Sequence, residues 1–592
     1  MRGAILYGPR SLDGSQPEKQ FNGLAAEETP AQVPTMLPGY SSPQLRLGPV
    51  WRKGSCLLIW DGPFTVSEGS QAAMICGLSD SLQKHGFRYL EELEGPFRLF
   101  WLDLSSRDWI LARGPHGLRP VFWSQTPEGV FFSRDIPTLL DVLGSVPGPN
   151  WTSITEYLLF QHVAGGPTLL ENVQELLPGE VIRGNLDSRA ILRDTFPLFP
   201  RACKPSSSDL GDLLLEVLKA SVMEEDPEAV GIFLSGGVDS ALMAWAWAEL
   251  GWSARKAFTV TCPGYLHDEA PFARFVADRL GLSWEQIPLD PSSFSQSWAS
   301  ALESIGLPMT STNQVVWWLL CQRASLAGVT GALAGEGADG WISGGLNDQE
   351  VEALRGAKGR PDEQAGIAIL CKSHRLNDPA LLERIMEVPL DLTQRKRLWE
   401  QSLADTPGVS PEEQAVVYHV RTAGQRLLSR ADYVAQVFGM AIKLPFLHRF
   451  FLSWVRANPW EIRNHEGVRK SPLKALCASI WGEPLAYRRK VGFPFPLRTW
   501  IRDSEDRLLR SFREMLLSPE TLRRPIYRGR ILEKELRDRM QKGKAPLDWL
   551  MWSLINLELW LRWLKDRRRA MRHGEPPLAQ GGSCYGAPEA AG

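Results

Sequence analysis

Residues 231–242 read GIFLSGGVDSAL, an apolar run that meets a Ser-Gly-Gly turn and then the opening of a helix. The run reads as a buried strand. Glycines in the turn let backbone N–H groups approach an anion, and the helix start adds partial positive charge. A phosphate group fits such a turn, but Asp239 repels it unless a cation lies between them. The carboxylate therefore implies Mg2+ bridging Asp239 and a nucleotide phosphate. No Lys follows the glycines, so the pattern differs from the GxxxxGKS/T loop. The plain structural alternative is a Gly-rich strand-to-helix turn in which Asp239 and Ser240 act as caps.

Around this turn the chain alternates between helical and apolar extended segments. The pattern predicts a helix over 209–224, a strand over 229–234, a helix over 239–250, a strand over 255–261, a helix over 268–281 and a strand over 284–289. That rhythm belongs to an α/β domain built on a doubly wound parallel sheet. Upstream, residues 45–135 carry short β-rich pieces (CLLIWDG, FRLFWLD, DWILAR, PVFWSQ, GVFFS) punctuated by Gly and Pro, which predicts an α+β sandwich. The Pro- and Ser-bearing stretch 196–208 suits a linker. The expected organisation is a first domain over 1–195, the linker, a second domain over 209–566 and a disordered tail over 567–592, whose basic cluster reads as a solvated helix end. The polar stretches 355–365 and 404–413 read as loops within the second domain. The runs 310–335 and 549–564 are interrupted by Arg323, Glu558 and Arg562 and read as core helices, not membrane spans.

At 592 residues the chain is too long for one core. Lys and Arg number 66 against 68 Asp and Glu, and the net charge of -2 offers no electrostatic reason for a nucleic-acid or acidic-membrane partner. A small uncharged or zwitterionic substrate is the natural expectation. The eight cysteines form no CxxC pair and mostly have apolar neighbours, so they read as reduced thiols of a cytoplasmic protein, outside disulfide or metal use. The opening MRGAILYGPRSLDG has an apolar part too short for a secretory signal.

The SGGVDS turn resembles the pyrophosphatase-type ATP loop of the asparagine synthetase family, and further segments resemble that family in order: KAFTV at 256–260, HDEA at 267–270, VADRLG at 276–281 and PMTSTN at 308–313. AGEGAD at 334–339 is similar to the family's S-G-x-G-x-D signature, with Ala334 for Ser and Gly340 for the Glu that follows. Arg430 and Asp432 precede LPFL at 444–447 by the family spacing, although Ala441, Lys443 and His448 replace Glu, Arg and Asp. GVRKSPL at 467–473 and RRKVGFPFPLRTW at 488–500 resemble its lysine turn and closing motif. The resemblance implies ATP and Mg2+ as cofactors, with Asp239 and Asp339 as metal ligands and Leu234, Ser235, Gly236, Gly237, Asp239, Ser240, Val260 and Gly335 around the nucleotide. It implies Lys470 and Glu336 as catalytic groups, Lys470 stabilising charge at the α-phosphate and the tetrahedral carbon.

Upstream, LEELEGPFRLFW at 90–101, LAR at 111–113, HGLRP at 116–120, TLLEN at 168–172 and LPG at 177–179 resemble the family's Ntn-type glutaminase domain. That glutaminase attacks glutamine with a Cys placed directly after the initiator Met. Arg2 stands there, Asp61-Gly62 stands near the expected Asn-Gly oxyanion segment, and Gly114 replaces an Asp that clamps glutamine. The implied activity is ATP-dependent amide formation through an acyl-adenylate, releasing AMP and pyrophosphate, without glutamine hydrolysis. The implied partners are a small carboxylate and ammonia or an amine, or a peptide precursor, with a homodimer and a separate glutaminase left open. Two kinds of relative share the missing cysteine: β-lactam synthetases, which have a Tyr where Glu336 stands, and lasso-peptide cyclases, which close with a different basic motif. A non-catalytic nucleotide-binding scaffold is the alternative from another class.

Overall fold

The computed structural model describes residues 2–6, 50–62, 71–196 apart from Glu94, 209–222, 226–252, 256–264, 269–346, 348–356, 376–405, 409–488, 496–500 apart from Arg498, 506–541 and 549–573. The chain divides into two compact units: Met1–Pro147 with Gly166–Ala202, and Gly148–Gly165 with Cys203–Gly592.

The first unit holds two antiparallel sheets. Strands β1 (Arg2–Leu6), β2 (Val50–Lys53), β3 (Cys56–Asp61), β4 (Arg98–Asp103), β5 (Asp108–Arg113), β6 (Phe122–Gln125), β7 (Gly129–Ser133), β8 (Gln174–Glu175), β9 (Glu180–Asn185) and β10 (Ile191–Thr195) assemble as β1-β7-β6-β8 and β10-β9-β5-β4-β3-β2. Alternate residues of β3 serve opposite faces. Leu57 and Ile59 join Trp123, Val130 and Phe132 in the core between the sheets. Cys56, Leu58 and Trp60 pack with Leu78 and Leu82 of the helix Gln71–His85 on the outer face. Both faces being covered, the strand is apolar at nearly every position.

The second unit is built on a five-stranded parallel sheet. Strands β11 (Val230–Phe233), β12 (Lys256–Thr261), β13 (Ser283–Pro288), β14 (Gly331–Leu333) and β15 (Ala441–Lys443) lie in the order β13-β12-β11-β14-β15. Helices Leu210–Val222, Val238–Glu249 and Ala270–Leu280 pack on it through Leu214, Leu218, Leu242, Ala246, Trp247 and Ala273. The 310–335 run is not one helix. A helix over Asn313–Leu326 ends, Gly328 turns with φ of 80°, and β14 follows. The final helix runs Trp549–His573, so the first residues of the expected tail are helical; its last turn includes Arg572, whose cation meets the negative end of the helix dipole. The linker residues 197–208, residues 357–365 of one expected loop, 406–408 of the other and the tail from 574 lie outside the described residues. The helix Pro411–His419 closes the 404–413 stretch.

Residues 148–165 pack in this second unit although strands of the first unit follow them in sequence. Glu156 pairs with buried Arg395 at 2.6 Å, whose guanidinium lies 3.5 Å from the Phe160 ring. The Tyr157 hydroxyl donates to the Met309 carbonyl at 2.9 Å, and Arg426 donates to the Val163 and Gly165 carbonyls. Among the described cysteines Cys56, Cys321 and Cys477 are buried and Cys262 is half-buried. Burial pushes the Cys477 thiol up to about 12.

Candidate active site

The parallel strands leave β11 and β14 in opposite directions across the sheet, and at such a switch point the loops beyond the carboxyl ends part to form a crevice. The Ser235–Asp239 turn follows β11, and Ala334–Asp339 follows β14. Gly335 brings the two loops together: a Cβ there would stand 2.8 Å from Asp239 Cβ and 2.9 Å from Ser240 N. Gly236 has φ of 70°, and a Cβ on it would stand 2.7 Å from Ala273 N, so the turn is wedged against the helix Ala270–Leu280.

Within the turn the Ser235 and Ser240 hydroxyls lie 3.0 Å apart, Ser235 N–H donates to Ser240 Oγ at 3.2 Å, and Gly237 N–H reaches Ser235 Oγ at 3.3 Å. These side chains hold the loop shape. Leu234 N–H donates to the Phe258 carbonyl at 3.0 Å, while the Thr259 hydroxyl donates to the Leu234 carbonyl at 2.6 Å. Leu234 and Val260 are both buried beside the crevice at neighbouring strand ends.

Asp239 and Asp339 open their helices, Val238–Glu249 and Ala338–Ser343. Between them stands Lys470. Its Nζ donates to Asp239 Oδ1 at 2.8 Å and Oδ2 at 2.7 Å, and lies 2.7 Å from Asp339 Oδ1. Lys470 and Asp239 are buried and Asp339 is half exposed. The lysine is delivered by a strained backbone, with φ of 54° at Lys470, 75° at Gly467 and 51° at Glu466. Asn464 fastens that loop: its Oδ1 accepts from Lys470 N at 3.2 Å, and its Nδ2 donates to the Ile342 carbonyl at 3.0 Å, on the helix that carries Asp339. Arg463 donates to the Trp341 and Ile342 carbonyls of the same helix at 2.7 and 2.9 Å.

Three carboxylate oxygens thus gather around one cation at hydrogen-bond distance, which is the donor chemistry Mg2+ takes. Two carboxylates cannot complete an octahedron, and no cluster of three or more His, Cys, Asp or Glu able to hold a metal occurs among the described residues. Phosphate oxygens and water would have to supply the rest. Glu336, partly exposed, accepts from Arg430 Nη2 at 3.5 Å, and Arg430 Nη1 also donates to Ser311 Oγ.

The departures from the family pattern have local accounts. His448 caps the helix Arg449–Ala457, accepting from Phe450 N at 3.4 Å. A Cβ on Gly340 would stand in ordinary van der Waals contact with the His419 ring, 3.5 Å away. In the first unit, Asp61 is paired by Arg98, which donates to Asp61 Oδ2 through Nε at 2.8 Å, with Arg119 Nε 3.7 Å from Oδ1. Burial alone would raise the Asp61 pKa, but Arg98 and Arg119 override it and hold the carboxyl well below the usual carboxylate range. A Cβ on Gly114 would stand 2.9 Å from Phe97 N, so the backbone at Phe97 leaves no space for a side chain there.

The Asparagine synthase family model matches residues 210–562, more than half of the chain, and the Glutamine amidotransferase domain model matches residues 77–193. The chain belongs to the asparagine synthase family. Its members are ATP-dependent carbon–nitrogen ligases that act on a carboxylate with ammonia or glutamine as donor, so this chain is an asparagine-synthetase-like ligase with a glutamine-amidotransferase-like first domain and an α/β synthetase domain. The chain is 22% identical to asparagine synthetase 1 (glutamine-hydrolyzing) of Bacillus subtilis, over 79% of this chain and 78% of the relative. It is 23% identical to asparagine synthetase 2 of the same organism, over 76% and 66%. It is also 23% identical to the amidase chyE of Penicillium rubens, over 45% and 43%. No described helix is long and apolar enough to cross a membrane.

Among the residues expected from sequence, Ser235, Gly236, Gly237, Asp239, Ser240, Gly335, Asp339 and Lys470 form one cluster, and Glu336 stands beside it with Arg430. Sequence reasoning assigned no role to Asn464, Arg463, Ser311 or Arg488. Arg430 and Arg488 stood inside quoted motifs, but a charged residue in a charged stretch carries no signal of its own partner.

Proposed function

We propose that the crevice at the β11/β14 switch point carries out amide formation through an acyl-adenylate, and that the first domain does not hydrolyse glutamine. The observation that supports this most is the Lys470 ammonium held between Asp239 and Asp339. In this reading the Ser235–Gly237 turn receives the β- and γ-phosphates of ATP. Asp239 and Asp339 would hold Mg2+, which when bound offsets pyrophosphate charge. A carboxylate oxygen of the acid forms a bond to the α-phosphorus as the bond to pyrophosphate breaks. The amine nitrogen then bonds to the acyl carbon, AMP leaves, and the nitrogen loses its proton, for which Glu336 is the nearby acceptor. Lys470 contributes positive charge where the α-phosphate and the tetrahedral carbon gain negative charge.

The loss of glutaminase action is supported by Asp61. An oxyanion hole needs donors aimed at developing negative charge, whereas Asp61 brings a paired carboxylate to the expected Asn-Gly position. Without glutamine hydrolysis in the first domain, ammonia or an amine on the substrate becomes the nitrogen source. The test is pyrophosphate release from MgATP with a panel of acids, comparing ammonium, amines and glutamine as donors. Wild-type enzyme should release pyrophosphate with an acid and ammonium or an amine, form no glutamate from glutamine, and lose turnover in Asp239→Asn and Asp339→Asn while remaining folded. Saturable glutamate formation removes the proposal for the first domain, and near-wild-type release in either Asn variant removes the carboxylate pair.

A further inference from the structure

Arg488 lies in the closing basic motif, 252 positions from the phosphate turn in sequence, and its guanidinium has three partners among the described residues. Nη1 donates to Glu269 Oε1 at 2.8 Å, Nη2 donates to the Gly236 carbonyl at 2.9 Å, and the group stacks 4.5 Å from the Phe272 ring centroid. Both charged side chains are largely buried. We propose that Arg488 is a positioning residue for nucleotide binding, which fixes the Gly236–Gly237 peptide so that its N–H faces the bound phosphate. The proposal rests on the reading of this turn as the ATP phosphate site.

The argument is geometric. In a trans peptide the C=O of one residue and the N–H of the next point in opposite directions. Arg488 takes the Gly236 C=O on one side, so Gly237 N–H is turned to the other, where among the described residues it makes only a long 3.3 Å contact with Ser235 Oγ. That donor remains available to an anion. Gly236 cannot hold this orientation by side-chain packing, because it has none, and its φ of 70° is a conformation that glycine leaves readily. The clamp must therefore come from outside the turn. Glu269, at the start of the helix Ala270–Leu280, anchors the same guanidinium, and that helix is the surface against which Gly236 is wedged. A fork with two directed donors fixes a peptide plane in a way that a lysine ammonium does not. Among the described residues Arg488 Nε has no hydrogen-bond partner and is buried. The cost of that orphan donor is tolerated where the other two nitrogens are engaged.

The experiment compares wild type, Arg488→Lys, Glu269→Gln and the double variant by calorimetric titration with MgATP, steady-state kinetics and thermal melting. Arg488→Lys should weaken MgATP binding and raise the KM for ATP about tenfold, the scale of one lost charge-assisted hydrogen bond, with a smaller change in kcat. The double variant should be no worse than the single Lys variant, since both remove the same clamp. A purely structural role predicts a lowered melting temperature with ATP affinity within twofold of wild type, and that result overturns the proposal. If Arg488→Lys does not fold, the Glu269→Gln variant gives the same readings with the fork intact but its anchor weakened: a severalfold loss of ATP affinity supports the proposal and no loss overturns it. Wild type that binds no MgATP would instead overturn the reading of the turn itself.

Discussion

Replacing Lys470 by Met separates its two positions, as the cation between two carboxylates and as a charge for the reaction. In the folded protein its Nζ lies 2.7–2.8 Å from three oxygens of Asp239 and Asp339. Breaking a buried ion pair by removing one partner costs about 3–5 kcal/mol, and the half-exposed Asp339 places this case near the lower end. The metal-free Met variant should therefore lose about 3 kcal/mol of stability, because Asp239 stays buried without its cation. The same substitution should raise affinity for a divalent ion, since the ion no longer displaces an ammonium from the cage. A tenfold gain in Mn2+ affinity, about 1.4 kcal/mol, is expected by calorimetry or by the free Mn2+ paramagnetic signal, with stability largely restored on adding the ion. Turnover should fall about a hundredfold, the scale of losing one electrostatic donor. Unchanged or weaker Mn2+ binding in a folded Met variant would refute the shared cage, and turnover within twofold of wild type would return Lys470 to a structural role.

Gly335→Ala should lower ATP affinity at least tenfold and destabilise the second domain by about 1–3 kcal/mol, on the scale of overpacking, because its methyl would meet Asp239 Cβ at 2.8 Å; binding titration and urea unfolding read the two effects, and wild-type values in both refute the close approach. In the first domain, burial, opposed in part by the Gly95 backbone, holds His116 down to about 4 from its usual 6.5. Between those values the unfolded chain takes up a proton that the folded one refuses, so stability is full above pH 6.5 and falls as pH drops toward 4, by up to about 3 kcal/mol at 1.36 kcal/mol per unit. The unfolding profile of His116→Gln should be flatter than that of wild type over this window, and parallel profiles would refute the buried neutral ring.

The elements that local rules govern were legible in the chain alone. An apolar run, two glycines and a carboxylate at 231–240 define a strand, a turn and a helix start within ten residues, and the helix–strand alternation after 209 leads to a parallel sheet. The same locality explains the failure at 310–335, where periodicity cannot divide a helix from the buried strand that follows. The functional pairings are of another kind. Lys470 meets Asp239 across 231 positions, Arg430 meets Glu336 across 94 and Arg488 meets Gly236 across 252. Nothing in a lysine or arginine among other basic residues states which carboxylate or carbonyl it will reach.

Sequence by itself determined the strand, glycine turn and helix start at 231–240 and the helix–strand alternation after 209, because glycine conformation, strand burial and helix starts depend on neighbours a few residues away. Only the tertiary structure decided that β11 and β14 are adjacent, that Gly335 lets their loops touch, that residues 148–165 pack in the second unit, and that one ammonium sits between Asp239 and Asp339. Those outcomes depend on how the whole sheet and its helices bury apolar surface, which fixes the direction of each distant loop through packing that no short segment contains.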